Sequence, residues 1–223
     1  MYLLRGVRKG LSSKMYKGER MNIAVFASGR GTNFAAIIRA VNAGKIKARL
    51  ALLVSDNPKA GAVARAKRAG IKVALVKRED LPSKKEFEER IIRCLKAENI
   101  ELIVLAGFMR ILGETLLTNY KGRILNIHPA LLPSFKGSSG IKDAFDYGAK
   151  VTGVTVHFVD EKMDHGPIIL QRPVRIEEDD TPESLEAKIH KVEHKLYPQA
   201  IQLFVEGKLA VEGRKVRISL RKT

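Results

Sequence analysis

Short apolar runs alternate with segments of helical hydrophobic periodicity between residues 22 and 127. Apolar runs of about four to eight residues favour buried strands, and the segments between them favour helices. Five strands are predicted on this basis: Asn22–Ala27, Arg49–Val54, Lys72–Val76, Leu102–Ala106 and Arg123–Ile127. Apolar strands that alternate with helices indicate a parallel sheet with helices on both faces. The pattern therefore predicts an α/β domain with a doubly wound, mostly parallel sheet.

The predicted helices carry boundary signals of their own. A helix over Phe34–Val41 follows the first strand, and a second helix covers Ala62–Ala69 before a glycine. Ser83, with Glu86 three residues later, has the spacing of a capping box for a helix that reaches residue 98. These signals support the alternation of strands and helices.

The hydrophobic pattern changes after residue 150. Thr152–Val159 alternates in polarity and is rich in β-branched residues, and Ile168–Ile176 is expected to pair with it across a long loop. Such a hairpin is antiparallel, so the sheet is expected to be mixed. Thr181 caps a helix that runs to about residue 204, in which Pro198 is expected to cause a kink or a restart. Gly207–Val211 is a candidate for a short edge strand.

Basic residues are concentrated at the two ends of the chain. The 223 residues include 41 Lys or Arg and 24 Asp or Glu, for a net charge of +17. Residues 1–20 and residues 208–223 each carry a net charge of +5, so the middle is only moderately basic, as suits a protein with anionic ligands. We therefore divide the chain into a basic N-terminal extension (1–20), a folded domain (21–205) and a basic C-terminal tail (206–223). Both ends are expected to be solvated flanks.

Neither a membrane span nor a secretory signal is expected. No run approaches the roughly 20 apolar residues that a bilayer crossing requires. Arg5, Arg8 and Lys9 interrupt the apolar residues near the N-terminus. Cys94 is the single cysteine, so disulfide bonds do not organise the fold, and a reducing cytoplasm is predicted.

A loop that contains two glycines, Ser28–Asn33, joins the first predicted strand to the first predicted helix. Glycine lets the backbone approach a phosphate, and a helix N-terminus supplies N–H groups and positive potential. Gly29 and Gly31 match the start of a dinucleotide-binding fingerprint, and Asp56 lies near the position of its ribose-binding acid. Because Phe34 stands at the third glycine position, a single-phosphate site is favoured over a dinucleotide site and over a purely structural turn. Its predicted residues are Gly31, Thr32 and Asn33.

Asn126 and His128 lie at the end of the fifth predicted strand. Ligands of open α/β sheets bind at the carboxyl ends of the strands, and the two-residue period of a strand places both side chains on one side. An amide beside an imidazole suits stabilisation of an oxyanion and transfer of a proton. The alternative is a buried histidine with a capping asparagine, and these residues alone do not separate the two interpretations.

Asp164 lies in the loop between the two hairpin strands. A carboxylate in a loop is commonly a turn former. Its functional alternative is to face His128, to orient the imidazole and to favour its protonated form.

Two further patterns have more than one interpretation. His190, Glu193 and His194 match a zinc-binding spacing, but no third ligand is marked, so no metal is expected. This segment is either an exposed helix face or a substrate contact through Glu193. Lys84 and residues 109–112 form either an apolar slot with basic neighbours or ordinary packing at the start of a helix.

Several segments, taken in order, resemble the folate-dependent formyltransferases, and in particular their glycinamide ribonucleotide branch. These segments are residues 28–33, 105–112, 125–133 and 156–167. The N-x-H-P motif at 126–129 with a downstream aspartate is typical of the family, and the phosphate loop with E-H-x-x-Y-P at 193–198 is typical of the branch. The resemblance covers about residues 21–205 and implies a Rossmann-like formyltransferase fold.

The resemblance also implies an activity, transfer of the formyl group of 10-formyltetrahydrofolate to the amine of glycinamide ribonucleotide in de novo purine synthesis. It implies that His128 is the general acid and base, that Asn126 donates to the oxyanion and that Asp164 raises the pKa of His128. The implied ribonucleotide-binding residues are Gly31, Thr32 and Asn33 at the phosphate and Glu193 at the sugar. The implied folate-binding residues are Lys84, where the family often has arginine, Met109, Arg110, Ile111, Leu112 and Asn126. A cis peptide bond between Leu132 and Pro133 is implied as well.

Related activities provide the alternatives. Other enzymes of this kind transfer the formyl group to methionyl-tRNA or hydrolyse the folate, typically with an additional domain, for which about 20 residues on either side of the core leave no room. A nucleic-acid-binding module without catalysis would instead use the basic ends. Small-molecule substrates, rather than nucleic acid or a membrane, are predicted as the partners of a monomer or homodimer.

Overall fold

The computed structural model describes residues 20–219, and all elements named below lie in that part of the chain. The strands are β1 (Met21–Phe26), β2 (Ala48–Ser55), β3 (Lys72–Leu75), β4 (Leu102–Leu105), β5 (Ile124–His128), β6 (Val151–Phe158), β7 (Ile168–Arg175), β8 (Leu209–Glu212) and β9 (Lys215–Ile218). The helices are α1 (Thr32–Asn42), α2 (Gly61–Arg68), α3 (Lys84–Ala97), α4 (Glu114–Asn119), α5 (Gly140–Asp146) and α6 (Pro182–Val205). Every strand and helix predicted between residues 22 and 205 is present, with small differences at the boundaries.

The strands β1 to β9 form one sheet in the order β3-β2-β1-β4-β5-β6-β7-β9-β8. Strands β1 to β5 pair in parallel, whereas β6 is antiparallel to both of its neighbours, so the predicted mixed α/β sheet is confirmed. From β1 the chain winds outward to β2 and β3, and then returns to β4 on the other side of β1. Sheets of this type bind ligands at such a switch point, beyond the carboxyl ends of the strands.

Alternate residues of the central strands fill two cores, one on each face of the sheet. In β1, Ile23 and Val25 belong to the core packed by α1, α2 and α6, whereas Ala24 and Phe26 belong to the core packed by α3 and α4. All four side chains are fully buried. Because helices cover both faces, the strands are apolar throughout, and the edge formed by the strand ends is the place left for a ligand.

Helix α6 continues through Pro198, so the restart expected from the sequence does not occur. Proline removes one N–H donor from a helix. Tyr197 and Ile201 are fully buried in the core on either side of that position, and their packing holds both turns against the sheet. Thr181 caps the helix through its side chain, as predicted.

Residues 209–218 form a hairpin of two strands at the end of the sheet. Strand β9 pairs in parallel with β7, with Lys215 opposite Ile168. Part of the segment that was predicted to be a basic tail is therefore sheet. Its residues Leu209, Val211 and Val216 pack against the core on the side of α1, α2 and α6. The hairpin extends beyond the single short strand expected at 207–211.

The ends of the chain at residues 1–19 and 220–223 lie outside the described residues. The predicted N-terminal extension falls almost entirely in the first of these segments. Between residues 20 and 219, no helix has the length and hydropathy that a bilayer crossing requires.

Candidate active site

Three loops meet at the carboxyl edge of the sheet. The N–H of Ser28 donates to the carbonyl of Gly107 at 3.0 Å, which joins the loop after β1 to the loop after β4. Strands β4 and β5 are neighbours, with Leu105 opposite Asn126, so the end of β5 comes next along the edge. Motifs at 28–33, 106–112 and 126–128 therefore lie side by side along one edge of the sheet at the switch point, where sheets of this type form their ligand crevice.

Asn126, His128 and Asp164 converge beside this crevice. His128 Nδ1 lies 3.4 Å from Asp164 Oδ2, and the Asn126 amide donates to Asp164 Oδ1 at 3.4 Å. Strand β5 carries Asn126 and His128 on one side because they are two residues apart, and the loop between β6 and β7 brings Asp164 to them. The N–H of Gly137 donates to Asp164 Oδ2 at 2.8 Å. An amide, an imidazole and a carboxylate thus surround one point at the edge of the sheet.

His157 belongs to the same cluster, although no role was predicted for it. Its Nε2 lies 3.2 Å from the Asn126 amide nitrogen and 3.7 Å from Asp164 Oδ1, and its Nδ1 lies 2.7 Å from the carbonyl of Phe158. Because a carbonyl only accepts, Nδ1 donates to it, and Nε2 faces both the Asn126 amide and the carboxylate of Asp164. The antiparallel register of β5 and β6 sets residue 157 opposite residue 126. That register is not readable from the sequence.

A short loop covers the imidazole of His128. The residue is only 3% exposed, and its Nε2 donates to the carbonyl of Phe135 at 2.7 Å. A Cβ at Gly140 would lie 3.2 Å from the same nitrogen, so a larger residue there would crowd the ring. The Leu132–Pro133 bond in this loop is cis, as predicted. His128 Nε2 can therefore reach a ligand only when the loop moves.

Burial and charge act in opposite directions on the pair of His128 and Asp164. Burial lowers the pKa of His128 below its ordinary value, and the carboxylate of Asp164 and the carbonyl of Phe135 offset only part of that effect. This net direction is opposite to the raised pKa expected from the sequence, because that expectation left out desolvation of the ring. Burial raises the pKa of Asp164, but hydrogen bonds from His157 and from the Gly137 N–H outweigh it. The pKa of Asp164 is therefore lowered, and the group is ionised at neutral pH.

The loop between β1 and α1 presents a helix N-terminus to the crevice. Gly31 precedes α1 with a φ of 73°, no side chain caps the helix, and its first turn holds no acidic residue. N–H groups at an uncapped helix start, together with the helix dipole, favour an anion. Thr32 and Asn33 form the first helical positions. The geometry suits the single-phosphate site predicted from the sequence.

Replacing Gly31 by alanine is expected to destabilise the fold more than the same change at Gly44. The two residues have similar positive φ values, 73° and 69°, but a Cβ at Gly31 would lie 2.8 Å from the Cα of Ala62, whereas a Cβ at Gly44 meets nothing within 4 Å. Gly44→Ala should cost only the left-handed backbone energy of about 1–2 kcal/mol. Gly31→Ala should cost at least about 1 kcal/mol more, measured by urea unfolding. Equal losses would contradict the close approach of α2 to this loop.

Asp56, the candidate ribose-binding acid of a dinucleotide site, is engaged elsewhere. The Ser28 hydroxyl donates to its Oδ1 at 2.6 Å, and the Arg110 guanidinium pairs with its Oδ2. These bonds tie the loops after β1, β2 and β4 together. With both carboxylate oxygens engaged, the dinucleotide interpretation has no acid for a ribose, and the single-phosphate interpretation is retained.

The loop after β4 presents apolar side chains beside the crevice. Met109 is 70% exposed and Ile111 is 67% exposed, and Leu112 packs partly into the core below them. Large exposed apolar side chains that lie together indicate a binding surface. The guanidinium of Arg110 lies 5.9 Å from the centre of the Phe87 ring on α3, and this contact holds the Arg110 side chain against that helix. These residues could hold an aromatic ligand against the mouth of the crevice.

A buried carboxylate that was not predicted from the sequence supports this loop. Glu88 on α3 accepts hydrogen bonds from the N–H groups of Gly113 and Leu116, the latter at 3.2 Å, and so caps α4. Lys84, one turn earlier on α3, is exposed, and its Cε would lie 2.8 Å from a Cβ at Gly113. Lys84 and residues 109–112 therefore lie on the same side of the crevice.

Glu193 on α6 faces the first turn of α1. The Asn33 amide donates to Glu193 Oε2 at 2.9 Å. Burial raises the pKa of Glu193 to about 7, and the hydrogen bond from Asn33 offsets part of that effect. One turn further on, the Tyr197 hydroxyl lies 2.7 Å from the carbonyl of Leu105 and 3.0 Å from that of Leu125. Helix α6 thus connects the start of α1 to the carboxyl ends of β4 and β5.

The raised pKa of Glu193 makes the stability of the fold depend on pH. The carboxyl group loses its proton near pH 4.5 in the unfolded chain but near pH 7 in the folded chain, so the contribution of Glu193 to stability is fully present below pH 4.5 and is lost as the pH rises to about 7. Glu193→Gln removes this dependence. We expect the variant to be more stable than the wild type at pH 8, by up to about 3 kcal/mol, and equally stable at about pH 4. Urea unfolding at both pH values measures this, and a pH-independent difference would contradict it.

His190 and His194 stack on α6 with ring centroids 6.1 Å apart. Burial lowers the pKa of both imidazoles. Among residues 20–219, no group of three or more His, Cys, Asp or Glu side chains is arranged to hold a metal ion. The zinc-binding spacing at 190–194 therefore finds no further ligand in the described part of the chain.

Known proteins resemble this chain over most of its length. Residues 21–201 match the family model described as formyl transferase. Phosphoribosylglycinamide formyltransferase of Bacillus subtilis (strain 168) is 48% identical over 179 residues, which cover 80% of this chain and 92% of that protein. The trifunctional purine biosynthetic protein adenosine-3 of Gallus gallus is 40% identical over 192 residues, which cover 86% of this chain but only 19% of that protein. The crystal structure of glycinamide ribonucleotide transformylase 1 from Symbiobacterium toebii matches with a TM-score of 0.88 and 44% identity, covering 90% of this chain and 95% of that chain.

Proposed function

The chain belongs to the formyl transferase family, and on that premise we propose that it transfers the formyl group of 10-formyltetrahydrofolate to the amine of glycinamide ribonucleotide in de novo purine synthesis. The observation that carries this proposal at the site is the convergence of Asn126, His128 and Asp164 at the edge of the sheet. An uncapped helix start for a phosphate and an exposed apolar loop for a folate border the same crevice.

The reaction requires a stabilised oxyanion and a transferred proton. The neutral amine of the ribonucleotide attacks the formyl carbon, and negative charge develops on the formyl oxygen. His128 and the amide of Asn126 donate hydrogen bonds to that oxygen. The bond from the formyl carbon to the folate nitrogen then breaks, and the proton lost by the amine reaches that nitrogen through His128 or water. The products are formylglycinamide ribonucleotide and tetrahydrofolate.

Access to His128 involves the loop that covers it. The carbonyl of Phe135 accepts from His128 Nε2 at 2.7 Å, and a formyl oxygen is an acceptor of the same kind. We assign the formyl oxygen to the place of that carbonyl after residues 133–139 have withdrawn. Withdrawal admits water and weakens the desolvation that lowers the pKa of His128, while the charge of Asp164 stays. The ring therefore binds a proton more readily when the substrate enters.

The ribonucleotide is assigned to the side of the crevice formed by α1 and α6. Its phosphate binds the N–H groups at the start of α1, where the helix dipole favours an anion; the residues are Gly31, Thr32 and Asn33. Glu193, bonded to Asn33 and buried, binds the sugar. With a pKa of about 7, this carboxyl accepts a hydrogen bond from a sugar hydroxyl in either protonation state.

The folate is assigned to the other side of the crevice. The residues that line it are Lys84, Met109, Arg110, Ile111 and Leu112, with the formyl group at Asn126. Met109 and Ile111 offer exposed apolar surface to the folate rings. Lys84 provides a compact charge for the anionic end of the folate, without the planar fork of an arginine.

A spectroscopic assay tests the proposed function. Purified protein is mixed with glycinamide ribonucleotide and the formyl-folate, and tetrahydrofolate formation is followed by absorbance. We expect turnover that requires both substrates. Folate consumption without the ribonucleotide would indicate hydrolysis, and consumption only with methionyl-tRNA would indicate a different acceptor; either result would contradict the proposal.

The proposed location is the cytoplasm. Cys94 is a free thiol, and a reducing compartment keeps thiols in that form. The proposed partners are the two small-molecule substrates, and a monomer or homodimer stays a prediction.

A further inference from the structure

The carboxylate of Asp164 is carried by a loop with a constrained backbone. Residues 159–167 join β6 to β7, and Asp164 within them has a φ of 47°, in the left-handed region. At the base of the loop, the N–H of Phe158 donates to the carbonyl of Pro167 at 2.9 Å, and a Cβ at Gly166 would overlap the carbonyl of Phe158. A backbone in this region persists where surrounding contacts hold it. The contacts of the loop therefore decide where Asp164 points.

Asp160 braces this loop from within. Its Oδ1 accepts from the N–H of Lys162 at 3.1 Å, and its Oδ2 lies 2.7 Å from Nδ1 of His165. Because a carboxylate only accepts, Nδ1 donates to it. These two contacts of the Asp160 carboxylate span the turn that contains Asp164.

Arg214 holds the same loop from outside. Lys215 at the start of β9 pairs with Ile168 at the start of β7, which sets the preceding Arg214 beside His165. The guanidinium donates to the backbone carbonyl of His165 at 2.7 Å and lies 3.1 Å from its Nε2. One planar group therefore contacts both the backbone and the ring of the residue that follows Asp164.

We propose that Arg214 is a positioning residue, which keeps Asp164 within reach of His128 by holding His165. This inference rests on the proposed formyl transfer. It gives the C-terminal hairpin an indirect role, which is to position a residue of the active site. Asp164 Oδ2 lies 3.4 Å from His128 Nδ1, at the long limit of a hydrogen bond. A small displacement of the loop is therefore enough to separate them, and a shift of about 1 Å at a catalytic group costs about 100-fold in rate.

Arg214 is expected to matter more for turnover than for stability. It lies at the surface, and exposed contacts of charged groups contribute little to folding. We expect Arg214→Ala to melt within about 4 °C of the wild type, while its kcat for formyl transfer falls about 10-fold. The KM for glycinamide ribonucleotide should stay within about 2-fold, because the proposed phosphate and sugar contacts are on α1 and α6.

Two variants accompany this measurement. Arg217→Ala is the matched control, because Arg217 lies on the same hairpin, pairs with Glu212 at 2.7 Å and is exposed; its kcat and KM should not change. Arg214→Lys should recover part of the lost kcat, since an ammonium group reaches one acceptor but lacks the planar fork. An unchanged kcat in Arg214→Ala, with an active wild type, would overturn the inference and leave the proposed function intact.

A double-mutant cycle separates positioning from general weakening of the enzyme. In Asp164→Asn the carboxylate is already absent, so adding Arg214→Ala should lower kcat by less than about 2-fold. A further loss of about 10-fold in the double variant would show that Arg214 acts independently of Asp164, which would overturn the inference. His165→Ala replaces Arg214→Ala in the cycle if the latter does not fold. An inactive wild type would instead contradict the proposed function, and the inference with it.

Discussion

Replacing His128 by alanine is expected to lower kcat for formyl transfer by about 1000-fold. Loss of one donor to a developing oxyanion typically costs about 100- to 1000-fold, and loss of an acid–base group costs about 100-fold or more. Because one ring provides both, the two losses do not simply multiply. The KM for glycinamide ribonucleotide should change by less than about 3-fold, since the proposed phosphate and sugar contacts lie on α1 and α6 rather than on β5.

Steady-state kinetics with both substrates measures this effect, and circular dichroism checks that the variant is folded. Added imidazole is expected to restore part of the kcat of His128→Ala, because the free ring enters the space left by the side chain, and to leave the wild type unaffected. Turnover within about 10-fold of the wild type by a folded His128→Ala protein would refute the catalytic assignment of this residue.

Asp164→Asn is expected to lower kcat by about 100-fold. Asparagine has nearly the same shape and keeps an acceptor for the Gly137 N–H, so the change removes charge more than structure. The carboxylate opposes the burial that lowers the pKa of His128. Without it the pKa of His128 falls further, and less imidazolium is present at neutral pH. The limb of the kcat–pH profile that reports His128 should therefore move to lower pH.

Asp146→Asn is the matched control for this substitution. Asp146 is an exposed residue of α5 that pairs with Lys142, and its loss should change neither kcat nor the pH profile. Profiles of kcat between about pH 5 and pH 9 are compared for the three proteins. A profile of Asp164→Asn that differs from the wild type only by a constant factor would contradict an effect of Asp164 on the protonation of His128.

Much of the candidate site was visible in the sequence as separate parts. Asn126 and His128 stand two residues apart at the end of an apolar run, and Gly31 stands before a helix, so strand and helix geometry alone places them at ligand-facing positions. Glu88 and His157 gave no such signal. Glu88 lies within the pattern of an ordinary helix, and His157 within an alternating strand, and their roles appear only when a second segment packs against them.

The sequence by itself determined the order of strands and helices, the mixed sheet and the helix caps, because periodicity, capping and turn propensity act over a few neighbouring residues. The family resemblance, rather than these local signals, named the candidate residues for the chemistry. The contact of Asp164 with His128 was expected from the sequence and is present in the structure. Only the tertiary structure decided that Asp56 meets Ser28 and Arg110 and that Arg214 meets His165. It also decided the lowered pKa of His128. These properties depend on strand register and on burial, and both arise from contacts between segments that are distant along the chain.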